Sequence, residues 1–214
     1  MRALAGGQGQ SWLADSVVLK PIDDPVEAAW VADVRSRWPD VLAVGRAFSE
    51  QLATVPKPAF VDGRTHAWSY GDRVAWGEAP ATASVPEFGA LAAKFAGYVE
   101  PSVEPAQVVH GDLTANVLFG VGLPPAVIDF SPYYRPASYA QSIVVADAVA
   151  WHDEGLALAR LLAGPGPRSM LARAALYRLF TSDRLLSLAP GTEKSRVDTE
   201  VAAFERVYAV LATL

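Results

Sequence analysis

Three polar residues sit in one short stretch, His110, Asp112 and Asn116, and a fourth, Asp129, follows in Val127-Ile128-Asp129-Phe130. Apolar segments flank both groups, so one strand delivers the first three into a turn and a second strand delivers Asp129. Phosphoryl transfer from a nucleotide needs a carboxylate to receive or orient an acceptor hydroxyl. It also needs hard oxygen ligands to hold magnesium on the phosphates. Asp112 suits the first task; Asn116 and Asp129 suit the second. Each residue taken alone is also a common turn former, because Asp and Asn side chains bond nearby backbone groups. The sequence His-Gly-Asp-Leu between apolar strands, with Ile-Asp-Phe following, is harder to explain in that way.

The elements that must position these residues fall into two groups. Near the start, Gly6-Gly7-Gln8-Gly9-Gln10-Ser11 separates a short apolar piece, Ala3 to Ala5, from Trp12-Leu13. Asp15-Ser16 then turns into Val17-Val18-Leu19-Lys20, giving strand, glycine turn, strand, turn, strand. Asp24-Pro25-Val26-Glu27 carries the signature of a helix start, with a helix expected to about Trp38 and Pro39 ending it. Residues 41–79 hold short apolar pieces broken by Pro56, Pro58, Gly63, Gly71 and Gly77, and they read as a strand meander with turns at Asp62-Gly63 and Gly71-Asp72.

A lobe boundary is expected at Ala79-Pro80-Ala81-Thr82-Ala83, dividing the chain into residues 1–79 and 80–214. Ser84-Val85-Pro86-Glu87 reads as a capping box opening a helix to about Val99, with Phe88, Leu91, Ala92, Phe95 and Tyr98 on one face. After Asp129, Ser131-Pro132 and Arg135-Pro136 read as an irregular loop, and helical patterns are expected at about 138–152, 154–163, 168–187 and 193–213. The expected class is α+β, a small β-rich N-terminal part before a mainly helical remainder.

The order of these pieces resembles the aminoglycoside phosphotransferase and protein-kinase-like superfamily, and within it a branch of small actinobacterial phosphotransferase-like proteins. The resemblance covers most of the chain in order, but only residues 108–130 are specific. It implies a two-lobed kinase-like fold and ATP with magnesium as the phosphoryl donor system. It makes Asp112 the catalytic aspartate, Asn116 a catalytic-loop metal ligand and Asp129 the main magnesium ligand. By the same resemblance Lys20 holds the nucleotide's α- and β-phosphates, Glu27 pairs with Lys20, and Gly7 and Gly9 belong to the loop over the phosphates. The hinge for adenine falls near Trp76-Gly77-Glu78.

This sequence departs from the family pattern in three places. Asn116 follows Asp112 by four residues where the family usually has five, Lys20 and Glu27 are close together, and the first strand is a stub. These departures keep open a second reading, a catalytically silent kinase-like protein that binds a nucleotide or a partner. A metal-dependent hydrolase using His110, Asp112 and Asp129 would need further His ligands. His110 itself suits a structural role. Asp147, an acid in the apolar stretch Val144 to Ala148, either faces solvent or anchors the loop that carries Asp112. Tyr133, Tyr134 and Arg135 are candidates for the acceptor pocket, and His66 and His152 read as surface or packing residues.

Composition narrows the classes. The chain has 214 residues, 51% of them hydrophobic, a net charge of −5 and no cysteine. That is enough apolar residue for a sizeable core and no basis for a disulfide framework or a thiolate metal site. The acidic balance argues against a nucleic-acid partner and would suit a cationic small molecule. Apolar runs are too short for a membrane span or a signal peptide, so the expected place is the cytoplasm. The identity of the hydroxyl acceptor and the oligomeric state are not legible in the sequence.

Overall fold

A computed structural model of the chain describes residues 37–188 and 194–214, and before them the backbone of three short strands. Those strands, β1 (Arg2–Ala3), β2 (Trp12–Ala14) and β3 (Val17–Leu19), form an antiparallel sheet in the order β1-β2-β3, as the glycine turn and Asp15-Ser16 suggest.

The expected strand meander over 41–79 is not what forms. Trp38–Leu52 is a helix (α1), Ala59–Val61 a single 3-10 turn, and Ala67–Ala75 a second helix (α2). The prolines and glycines misled for physical reasons. Pro39 does not stop a helix; it occupies the first turn of α1, where its missing N–H costs nothing. Gly71 is no turn residue. It lies inside α2, where a Cβ would stand 2.4 Å from the Tyr177 carbonyl oxygen, so it is needed for close contact between helices. Asp62-Gly63 is a turn as expected, although it joins helical pieces. The helix expected from Asp24 lies outside the described residues up to Arg37.

Further on, α3 spans Pro86–Ala96 and buries Phe88, Leu91, Ala92 and Phe95, the face read from the sequence. Its N-terminus is not closed by a capping box. Val85 is the cap residue, and the carboxylate of Asp183 reaches across from a later helix to accept the N–H groups of Ser84 and Val85 at 2.9 and 3.0 Å. A buried acid on a neighbouring helix serves as the cap because Ser84 makes no side-chain bond to the helix start.

The helices α4 (Ala137–Trp151), α5 (Leu156–Ala159), α6 (Pro167–Leu188) and α7 (Lys194–Thr213) sit close to the expected spans, with α5 shorter. α6 is the hub: α2, α3, α4 and α7 all pack on it. Its buried positions run all the way round from Ser169 to Thr181, the pattern of a helix enclosed on every side. Phe88, Phe95, Phe180 and Phe204 are at most 1% exposed, each contributing about 1.5–3 kcal/mol of apolar burial. Among the described residues no helix is long and apolar enough to cross a membrane.

Four strands lie between α3 and α4. β4 (Gln107–His110) pairs antiparallel with β7 (Pro132–Arg135), and β5 (Val117–Leu118) pairs with β6 (Ala126–Val127) as a hairpin inserted between them. β7 forms where an irregular loop was expected, because Pro132 and Arg135 stand at the two ends of the strand and Tyr133 and Tyr134 pair with Val109 and Val108. The inserted hairpin places two loops at one end, 111–116 and 128–131.

Candidate active site

β4 is buried at Val108, Val109 and His110, and β7 lies beside it with Tyr133 opposite Val109. Immediately after β4 the chain passes under the Tyr133 ring. A Cβ at position 111 would come within 2.3 Å of that ring, which leaves glycine as the residue that fits. Three hydrogen bonds stitch the two loops together. The Gly111 N–H donates to the Ser131 carbonyl at 2.9 Å, the Ile128 N–H donates to the Asn116 carbonyl at 3.0 Å, and His110 Nε2 meets the Ile128 carbonyl at 3.1 Å.

His110 steadies the loop, as the sequence suggests. Its Nδ1 accepts the Asp112 N–H at 3.0 Å, so Nε2 carries the proton and donates to Ile128. Burial lowers its pKa, partly opposed by the Ile128 bond and by the charges of Asp112 and Asp129, which favours the neutral ring this pattern requires. Phe48 and Phe130 pack against the ring at centroid separations of 6.2 and 5.4 Å.

Asp112 leaves the loop with its side chain 40% exposed. One oxygen, Oδ1, accepts from Arg178 Nη2 at 2.6 Å; Oδ2 has no partner among the described residues. Arg178 is buried on α6 and also grips Asp147, donating from Nε to Oδ1 at 2.8 Å and from Nη2 to Oδ2 at 2.6 Å. Asp147 is 2% exposed and also accepts the Thr114 hydroxyl at 2.7 Å. It therefore anchors the loop through side chains, Thr114 on one side and Arg178 on the other. With Asp147 and Asp112 around it, Arg178 has its pKa held well above the ordinary value despite burial.

The loop from Asp112 to Asn116 carries a left-handed residue. The Asn116 N–H closes a turn on the Leu113 carbonyl at 3.0 Å, and Ala115, the third residue of that turn, is forced to φ 61°. Left-handed backbone is unusual for alanine and costs about 1–2 kcal/mol. Asn116 Nδ2 donates to the Asp112 carbonyl at 2.7 Å, so the amide nitrogen closes the loop and the carboxamide oxygen is its remaining acceptor. Asp129 is exposed and also left-handed, at φ 48°, a conformation Asp tolerates better than alanine does.

A cavity of about 460 Å³ opens in front of Asp112, walled by Trp68, Phe130, Tyr133 and Tyr177, with Arg64 and His66 at its edge. Of the three residues 133–135, only Tyr133 lines it. Arg135 instead bonds Asp72 and Glu78. Trp76 lies elsewhere, at the C-terminal end of α2. Its indole stacks against Arg173 at 4.3 Å and lines a separate cavity of about 450 Å³ with Ala92 and Leu176. Gly7, Gly9, Lys20 and Glu27 lie outside the described residues.

Sequence reasoning missed Arg178, Arg64 and Trp68. Arg178 left a signal, a charge inside the apolar run Ala174 to Phe180, since a buried charge demands partners. His66 is more than a packing residue: its Nδ1 accepts the Ser69 N–H at 3.1 Å and caps α2. Among the described residues there is no cluster of three or more His, Asp or Glu of the kind that holds a metal unaided. No protein-family model, curated protein or solved structure matches the chain.

Proposed function

We propose that the chain is a kinase-like phosphotransferase that moves the γ-phosphoryl group of ATP to a hydroxyl of a small molecule. The observation that carries this reading is Asp112: a part-exposed carboxylate, fixed by a buried Arg178–Asp147 pair, facing a cavity, with one oxygen free. Such a carboxylate can orient a hydroxyl and take its proton late in the reaction, while the Arg178 hydrogen bond holds it in place. The loop stitches bring Asn116 and Asp129 to the same end of the sheets.

The Asn116 carboxamide oxygen and the exposed Asp129 carboxylate are the hard oxygen donors that magnesium prefers, with phosphate oxygens and water completing the shell. Bound there, magnesium would neutralise charge on the transferring phosphates. The protein's share is positioning: Arg178 aims Asp112, His110 locks the loop, and the aromatic walls offer apolar surface to the acceptor. The two-lobed kinase-like arrangement belongs to the same proposal, with the β1-β2-β3 sheet as part of the nucleotide lobe.

The test is γ-phosphate transfer from ATP with magnesium over a panel of hydroxyl compounds. Asp112→Asn should abolish turnover and leave nucleotide affinity nearly intact, whereas Asp129→Asn should weaken magnesium-dependent nucleotide binding itself. Full activity in both variants would sink the assignment. A second reading, a silent nucleotide-binding protein, draws on the engaged amide of Asn116 and the strained Ala115. Nucleotide binding without transfer to any acceptor would favour it.

A further inference from the structure

The chemistry around the cavity narrows the acceptor, on the phosphotransferase reading given above. We propose that the acceptor is an alcohol bearing an anionic group on a flat, largely apolar body, and that Arg64 selects the anion. The volume of about 460 Å³ suits a small molecule, and four of the lining residues are aromatic. The charged residues that line it are Asp112 and Arg64.

These two charges are not equally engaged. Asp112 is already bonded by Arg178. Arg64 is half-buried; its guanidinium donates one hydrogen bond, to the Pro132 carbonyl at 2.6 Å, and stands 5.0 and 5.5 Å from the centres of the Phe60 and Tyr133 rings. No carboxylate lies within ion-pair distance of it among the described residues. The acids beside it, Asp62, Asp72 and Glu78, are taken by Lys57 at 2.6 Å and by Arg135 at 2.7 and 2.6 Å. A half-buried cation without a counter-ion is costly, and an anionic ligand with a carboxylate or phosphate group supplies two hydrogen-bond acceptors in one plane.

His66 reinforces the choice. Burial and the nearby Arg64 and Arg73 lower its pKa, so it offers the cavity a neutral ring, and the same two arginines repel a cationic acceptor. The overall charge of −5 would suggest a cationic ligand, but the local cation decides at contact distance.

The experiment uses the full chain and three alcohols of one shape: para-hydroxymethyl benzoate, benzyl alcohol and para-hydroxymethyl benzylamine. Calorimetry should show the benzoate binding on the order of tenfold more tightly than the other two, the value of a charge-assisted hydrogen bond. Arg64→Gln should remove that preference, and Arg64→Lys should retain part of it. Melting curves of both variants show whether loss of the Pro132 contact unfolds the loop. A preference for the neutral or cationic alcohol, no binding by any of the three, or a preference unchanged in Arg64→Gln overturns the proposal. Transfer assays separate the two claims. Phosphorylation of the amine alone overturns the acceptor class and upholds the phosphotransferase. Arg64-dependent binding of the benzoate without transfer to any alcohol upholds the anion site and overturns the phosphotransferase.

Discussion

Two arginines in this fold each grip a pair of acidic side chains, in different ways. Arg135 bonds Asp72 at 2.7 Å and Glu78 at 2.6 Å while lying over the Trp76 ring, and it ties β7 to the end of α2. Its two carboxyls shift in opposite directions. Burial raises the pKa of Asp72, whereas hydrogen bonding to Arg135 lowers that of the more exposed Glu78. Arg178 also holds two acids, but one is sealed in the core and the other is offered to a cavity with an oxygen to spare. The first arrangement consumes its polar groups; the second aims one of them. Among the described residues, positive φ at non-glycine positions occurs at Ala115 and Asp129, in the two loops of the site, and also at Asp153 just after α4.

Removing each arginine tests the contrast most strongly. Arg178→Met leaves the buried Asp147 side chain without its main partner, and should cost about 3–5 kcal/mol in denaturant unfolding. Arg135→Met should cost less, about 2 kcal/mol, since Asp72 protonates readily and Glu78 is partly solvated. A larger loss at Arg135 would reverse the division between core anchor and brace. Ala115→Gly probes the strain: relief of left-handed backbone, less the entropy glycine gives up, should raise stability by about 0.5 kcal/mol. No gain would mean the loop relaxes around alanine already.

The smallest effect lies at His110, whose counterpart does not exist in the Arg135 brace. NMR titration should place its midpoint below 6.5, the ordinary value. Because the folded pKa is the lower one, the unfolded chain binds the proton first. Stability therefore declines as pH falls below 6.5, towards the folded midpoint. A midpoint at or above 6.5 would mean that the Ile128 bond and the charges of Asp112 and Asp129 outweigh burial.

How much could be read beforehand differs along the chain. The loop 111–116, the Ile-Asp-Phe segment and the helices after residue 137 follow from local signals: apolar runs, turn residues and helical spacing. Residues 38–75 did not, because proline and glycine are ambiguous out of context. Pro39 opens a helix it was expected to close, and Gly71 serves contact with Tyr177, which lies far away in sequence. Arg64 escaped notice for the same reason, and Arg178 showed only as a charge in an apolar run, with nothing to name its partners. Their roles depend on which side chains meet them across the fold, and no local pattern records that.

The close seating of Gly111 beneath Tyr133 has a practical corollary. The ring is one wall of the cavity, and the peptide it covers leads directly to the amide of Asp112, whose proton points at His110 Nδ1. Wall, backbone and imidazole are thus coupled within a few bonds. The chemical shift of a single nucleus, the Asp112 amide proton, is a built-in gauge of occupancy. It responds when a molecule presses on the tyrosine and again when the imidazole gains a proton, without any attached dye.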